Sequence, residues 1–207
     1  GAWHGVRRDA AAVTPVRQTD PMTFPPFKEP VDHEIVRQAL RAALRTTWRR
    51  RPDLVSHEVC ERSVVAYVAQ TLAPLVAQWD ERWQVDVEYN RWHEDDLQRF
   101  QEKFLTDPET GQKTGRVFPD LIVHQPGHSS WEHNLLVLEA KKGHVSPQNR
   151  QADYRKLRGF ITAFGYQQAV FLEFDGVGGC PRLQWFADDG PEPDPTLPAA
   201  ECVDVTS

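Results

Sequence analysis

Four consecutive apolar residues at 135–138, followed directly by Glu139, constrain the fold more than any other segment of this 207-residue chain. An apolar run without polar alternation is typical of a strand buried on both faces, so it predicts a central strand covered on two sides. A second acid, Asp120, stands directly before the apolar residues 121–123. A carboxylate beside a buried strand costs several kcal/mol unless hydrogen bonds or a cation compensate it. The two acids therefore predict a compensated site at the ends of two strands.

Hydrophobic periodicity and turn signals predict the elements around these strands. Helices are expected at 32–49 with Asp32 as the N-cap, from a cap at Ser56 to Pro74, and at 153–164 ending at Gly165. Strands are expected at 85–89, 117–123, 135–139, 169–174 and 182–186, and a polar stretch without strands at 92–116. This order predicts an α/β (α+β) fold with a central mixed β-sheet flanked by helices.

Composition divides the chain into three segments. Residues 1–30 contain five prolines and are expected to be extended, while 31–186 are expected to form one domain. Residues 187–207 hold six acids, no base and four prolines, which predicts an acidic tail that is disordered or loosely docked. The net charge of −6 belongs to this tail, and residues 37–51 hold six arginines and no acid. This basic strip is either a solvated helix face or a surface for phosphate contacts.

The three cysteines are odd in number, far apart in the sequence and without a CxxC spacing. Reduced thiols in a cytoplasmic protein are the simplest interpretation. No segment approaches the ~20 apolar residues that cross a membrane, and Arg7, Arg8 and Asp9 interrupt what could have been a signal peptide. We therefore expect a cytoplasmic protein without a membrane partner.

A lysine close to the second acid predicts the chemistry of the site. Lys141 follows Glu139 by two residues, so strand alternation points both side chains to the same side. Two carboxylates would bind a hard cation such as Mg²⁺, and the cation would activate water and polarise a phosphate. The amine would position that water or stabilise the developing charge. The pattern is typical of metal-assisted phosphodiester hydrolysis.

The pair Pro119-Asp120, followed by the triplet Glu139-Ala140-Lys141, resembles the PD-(D/E)xK nuclease superfamily, and in particular its small stand-alone bacterial members. The resemblance extends over residues 56–174. It implies a restriction-endonuclease-like αβββαβ core within 31–186 and a magnesium-dependent nuclease in which Mn²⁺ can substitute. DNA is the expected substrate rather than RNA.

The resemblance also implies roles for individual residues. Asp120, Glu139 and the backbone carbonyl of Ala140 would hold the metal, joined by Glu61 of the first core helix with Glu58 as the reserve. Lys141 would orient the attacking water. The expected contacts to nucleic acid are Lys156 (with Tyr154 and Gln151 as alternatives on the second core helix), Arg116, Trp92 and Trp131.

Other functions remain open at this point. The acidic balance and the lack of a DNA-reading module are compatible with a catalytically inactive nuclease-fold domain that acts as a binding or assembly module. A third possibility is an acid-rich structural protein without a site. Four histidines at 124, 128, 133 and 144 match no zinc-ligand spacing. A homodimer or a larger host protein is compatible with each of these functions.

Overall fold

The computed structural model shows a mixed α/β architecture in which helices cover both faces of one six-stranded sheet. The structure describes residues 31–56, 60–89, 92–94, 99–101, 104–106, 113–128, 130–175, 179–187 and 201–205. The expectation of an extended segment at 1–30 lies outside these residues.

Four α-helices and one short 3-10 helix are present in the described residues. They are α1 (His33–Arg50), α2 (Pro52–Ser56), α3 (Glu61–Val76), the 3-10 helix (Trp131–His133) and α4 (Pro147–Phe164). Asp32 caps α1 by accepting the Glu34 N–H, and Gly165 ends α4 in the left-handed conformation at φ 66°. Both helix ends were predicted from these residue types.

Two helix starts differ from the prediction. Helix α3 begins at Glu61 with Cys60 as the N-cap rather than at Ser56, and Pro74 lies inside its last turn. Helix α4 begins six residues earlier than expected, because the Ser146 hydroxyl accepts the Asn149 N–H and Pro147 occupies the first turn. A serine cap followed by proline is a strong start signal, and it moves Asp153 into the middle of the helix.

The strands form one main sheet and two separate hairpins. They are β1 (Gln84–Val87), β2 (Trp92–Glu94), β3 (Arg99–Gln101), β4 (Phe104–Thr106), β5 (Lys113–Arg116), β6 (Leu121–His124), β7 (Asn134–Lys142), β8 (Gln168–Phe174), β9 (Arg182–Ala187) and β10 (Glu201–Cys202). The main sheet has the order β1-β6-β7-β8-β9-β10, with β7 and β8 parallel and the other pairs antiparallel.

The polar stretch 92–116 was expected to lack strands, and that expectation is wrong. Strands β2 and β3 pair with each other, as do β4 and β5, and both pairs are antiparallel. Each of these strands has only three or four residues. Such short strands offer almost no alternation for a sequence pattern to reveal.

Strand β7 is central, as its apolar run predicted. Its first seven residues are all buried, and β6 and β8 flank it. Leu136 and Leu138 pack on one face in a core cluster with α1, α2 and α3. Val137 packs on the other face in a second cluster with the buried stripe of α4. The chain therefore builds three layers, helices, sheet and helix, with β7 in the middle.

The end of the acidic tail docks on the sheet instead of lying loose. Strand β10 pairs with β9, and Val203 is only 1% exposed in the core. Arg41 binds both carboxylate oxygens of Glu201, and Arg45 donates to the Asp204 carbonyl. Part of the basic strip on α1 therefore has a structural role, because it neutralises acidic groups at the end of the tail.

The expectation of reduced thiols is also wrong for two of the three cysteines. Cys180 and Cys202 form a disulfide, and only Cys60 is free and exposed. The pairing of β9 with β10 brings the two cysteines together across 22 positions of sequence. The cytoplasmic expectation loses the support that it drew from free thiols. None of the helices in the described part of the chain combines the length and apolar character of a membrane span.

We expect Cys202→Ser to lower the free energy of unfolding by about 3 kcal/mol, because the disulfide restricts the unfolded chain across a loop of this length. Urea unfolding followed by tryptophan fluorescence measures the change. Cys60→Ser serves as the matched control and should leave the midpoint unchanged. Equal midpoints for both variants would contradict a structural role for the disulfide.

Candidate active site

Asp120 lies at the start of β6, beside the end of β7. The two strands pair with Leu121 opposite Leu138, which places the residue before β6 next to the residues that follow Leu138. The Asp120 carboxylate Oδ2 accepts a hydrogen bond from the Ala140 N–H at 2.7 Å. This bond uses one carboxylate oxygen and holds the acid against the backbone of β7.

Glu61 reaches the same strand end from the first residue of α3. Its Oε2 accepts the backbone N–H of Lys142 at 3.0 Å, and its Oε1 lies 3.3 Å from the Lys141 ammonium. Lys141 also donates to the Ala140 carbonyl at 2.9 Å. The structure therefore brings Glu61, Lys141 and Ala140 together as predicted, with both Glu61 oxygens bound to β7. The reserve residue, Glu58, lies outside the described residues.

Glu139 is buried on the central strand, with only 2% of its surface exposed. The ammonium of Lys156 on α4 lies 2.7 Å from Glu139 Oε1 and forms an ion pair with it. Lys156 also donates to the Phe118 carbonyl at 2.8 Å. Burial raises the pKa of Glu139 to about 8 despite the attraction of Lys156, and the nearby charge of Asp120 adds to the rise.

Lys141 is surrounded by acids. Burial works to lower the pKa of its ammonium, but the negative charges around it outweigh burial and raise the pKa above its ordinary value. The acids responsible are Glu61, Asp153, Asp120 and Glu139. One lysine thus balances part of the charge of four carboxyl groups.

Asp153 is the member of this group that the sequence prediction missed. The prediction started the helix at Asp153, whereas the residue lies well inside α4, one turn before the buried Leu157. Its carboxylate Oδ2 is buried and has no hydrogen-bond partner among the described residues, and burial raises its pKa. An acid in the apolar stripe of a helix was the signal that could have identified it.

A cleft of about 230 Å³ opens beside these residues. It lies between the end of β7 and the first turns of α4. Its walls are Lys141, Lys142, His144, Val145, Asn149, Ala152 and Asp153. The cleft gives solvent and small ions a path to the side of the site that Asp153 faces.

The site concentrates hard oxygen donors, and its acids bind groups of the protein. Four carboxyl groups face the ammonium groups of Lys141 and Lys156, so acids are in excess. Among the described residues, no group of three acidic, histidine or cysteine side chains stands close enough together to hold a metal. Protein donors engage Glu61, Asp120 and Glu139, and Lys141 holds the Ala140 carbonyl. Hard oxygen ligands are present, and a cation would have to displace a lysine.

The expected nucleic-acid contacts do not gather around this site. Lys156 lies inside it, bound to Glu139 and Phe118. Arg116 is exposed at the end of β5, four positions before Asp120. Trp131 is 56% exposed, but it lies beyond the opposite end of β7 and so does not flank the site as expected. The side chain of Trp92 lies outside the described residues.

The chain matches no protein-family model, no curated protein and no solved structure at a significant level of similarity.

The buried acid predicts how stability depends on pH. The folded-state pKa of Glu139 is about 8, above its ordinary value of 4.5, so the folded protein holds a proton that the unfolded chain releases. We expect the contribution of Glu139 to the free energy of unfolding to be greatest below pH 4.5. It should then fall, by on the order of 4 kcal/mol, as the pH rises through 8. Urea unfolding at pH 5, 6.5 and 8 measures the change.

Glu139→Gln is the matched variant for this experiment, because the amide keeps the shape of the neutral carboxyl and does not titrate. The variant should lose most of the fall in stability across this pH range and be more stable than the wild type at pH 8. If the stability difference between the two proteins stays constant with pH, Glu139 does not have a raised pKa.

Proposed function

We propose that this protein is a metal-dependent phosphodiesterase that cuts nucleic acid, with a restriction-endonuclease-like core of the PD-(D/E)xK type. The observation that carries the proposal is the concentration of Glu61, Asp120, Glu139 and Asp153 around Lys141 at one end of the central strand. Glu139, the buried member of this group, destabilises the fold as a carboxylate, so a functional reason for it is expected.

The order of the elements supports the same core. Helix α3 is followed by β1, β6 and β7, then by α4 and β8, which is the αβββαβ order, with the two hairpins between β1 and β6. Asp120 directly precedes β6 and Glu139 lies in the second half of β7, and these positions support the same core. The sequence resemblance thus agrees with the position of each acid in the sheet.

A divalent cation fits the donor set in kind and in charge. Asp120, Glu139 and the Ala140 carbonyl supply hard oxygens, which Mg²⁺ and Mn²⁺ prefer. Burial raises the pKa of Glu139 despite the attraction of Lys156, so a divalent cation would favour its ionised form. When bound, such a cation would polarise the phosphate and lower the pKa of a water molecule.

The residues of the chain would orient the ligands and stabilise charge. The Ala140 N–H fixes Asp120, and Lys156 holds Glu139 while it is anchored to the Phe118 carbonyl. The Lys141 ammonium stays protonated because acids surround it, so it can stabilise the negative charge that develops on a phosphate in the transition state. Its proximity to the cleft gives a substrate access to this charge.

DNA is the proposed partner on the basis of the resemblance, and exposed cations such as Arg116 would contact its phosphates. The runner-up function is an inactive domain of the same core that serves as a binding module. One observation favours it: each predicted metal ligand is already bound to a donor of the protein.

Calorimetric titration of Mn²⁺ and Mg²⁺ separates the two functions, together with a cleavage assay on single-stranded DNA, double-stranded DNA and RNA. We expect the wild type to bind the metals and cut DNA. Glu139→Gln should weaken metal binding at least about tenfold. Lys141→Ala should bind metal and lower the cleavage rate by about 10²–10³-fold, the usual cost of one electrostatic group.

Glu132→Gln and Arg155→Ala are the matched charge controls, because both residues are exposed and lie outside the site. Neither should change metal affinity or the cleavage rate. Metal binding without cleavage of any substrate would favour the binding module. A wild-type protein that neither binds metal nor cuts would exclude a metal-dependent nuclease.

A further inference from the structure

Four arginines of α1 form a stripe that the proposed function leaves unused. Arg37, Arg41, Arg45 and Arg49 recur at four-residue spacing, so neighbouring members lie about 6 Å apart along one side of the helix. Arg37 donates to Gln168, whereas Arg49 at the other end is exposed. A regular row of cations on a helix suits the phosphates of a nucleic-acid backbone. We call this row the arginine stripe.

The acidic end of the chain lies on the middle of the arginine stripe. Arg41 donates from two nitrogens to the two carboxylate oxygens of Glu201, and Arg45 donates to the Asp204 carbonyl at 3.0 Å. The hydrogen bonds from Arg41 hold the pKa of Glu201 below its ordinary value. This tail segment, 201–205, therefore already presents oxygens to two of the cations that an external anion would need.

Few noncovalent contacts hold the tail segment to the sheet. Strand β10 pairs with two residues of the six-residue β9, Arg182 and Leu183. Val203 is buried, and its N–H donates to the Pro181 carbonyl at 2.9 Å. The conformational entropy lost in ordering such a short segment is of the same size as the gain from these contacts and from Arg41. The segment thus depends on a further restraint.

The disulfide between Cys180 and Cys202 supplies that restraint, and it is accessible. Cys202 is exposed and Cys180 is partly exposed. A dithiol can therefore attack one sulfur, form a mixed disulfide with that cysteine and release the other cysteine as a thiolate. The second thiol of the reductant completes the exchange. Two electrons pass to the protein, both cysteines become thiols and the dithiol is oxidised to a disulfide.

We propose that the arginine stripe binds the phosphate backbone of nucleic acid, and that the tail segment covers it until a dithiol reduces the Cys180–Cys202 disulfide. When the tail segment leaves, Arg45 loses the Asp204 carbonyl, and Arg41 loses one of its two acids but keeps Glu34. Both cations then extend the exposed end of the stripe. The inference goes beyond the proposed function, because it concerns binding and requires neither a metal nor cleavage.

Fluorescence anisotropy of a labelled single-stranded DNA oligonucleotide, measured in EDTA, tests the proposal. Every protein carries Cys60→Ser, so that dithiothreitol acts on the disulfide alone. We expect reduction to tighten binding about tenfold and to steepen its salt dependence by about 0.7 in log–log slope for each phosphate gained. A variant with Cys180→Ser and Cys202→Ser should bind like the reduced protein without dithiothreitol.

Two arginine variants locate the surface. Arg45→Gln should lose most of the gain in affinity on reduction, because it removes a cation that the tail segment covers. Arg155→Gln is the matched control, since it removes the same charge from an exposed position on α4 and should keep the gain. Equal DNA affinity in the two redox states, or a gain that Arg45→Gln leaves intact, would overturn the inference.

Hydrogen–deuterium exchange separates release of the tail segment from general loosening of the fold. On reduction, the amides of 201–205 should lose their protection while those of β7 and β8 stay protected. A similar loss in β7 and β8 would contradict the proposal, because the disulfide would then clamp the whole fold. Tighter binding of a synthetic tail-segment peptide, without tighter binding of DNA, would assign the surface to acidic peptides instead. None of these outcomes depends on whether the protein cuts nucleic acid.

Discussion

The burial of Glu139 on the central strand is the constraint on which the arrangement around it depends. A carboxyl group that is 2% exposed either keeps its proton or needs positive charge beside it. The chain supplies Lys156 from α4, yet burial still raises the pKa of Glu139 to about 8. Leucine or valine at this position would extend the apolar run of β7 at no electrostatic cost. The chain thus gives up stability at this position, which is typical of a functional site.

The same site connects the three layers of the fold. Glu61 ties the start of α3 to the end of β7, and Lys156 ties α4 to Glu139 and to the Phe118 carbonyl before β6. Asp120 joins β6 to β7 through the Ala140 N–H. Each connection uses a polar group that the apolar core cannot provide. The acids and lysines therefore determine how the layers meet at this edge, in addition to any chemistry that they perform.

Local signals in the sequence predicted helices and strands whose residue types have clear structural preferences. Contacts between distant segments could not be predicted in this way. The apolar run before Glu139 predicted β7, because a strand buried on both faces favours apolar residues. The glycine at 165 predicted the end of α4, because glycine readily adopts the left-handed backbone. The disulfide between Cys180 and Cys202 depends on the pairing of β9 with β10, which no local pattern encodes. Asp153 was missed because the helix start was placed too late. The function itself stays a prediction.

Lys141 shows how a protein cation neutralises part of the charge of such a site. Its ammonium contacts Glu61 Oε1 and the Ala140 carbonyl, so it already neutralises part of the surrounding negative charge. An ammonium brings one charge and three directed N–H donors, whereas a divalent cation brings two charges and accepts oxygens from many directions. Burial keeps the pKa of Glu139 raised, and Asp153 Oδ2 lacks a hydrogen-bond donor among the described residues, although Lys141 and Lys156 both face these acids. Under the proposed function, a divalent cation would supply positive charge to these groups in addition to the two lysines.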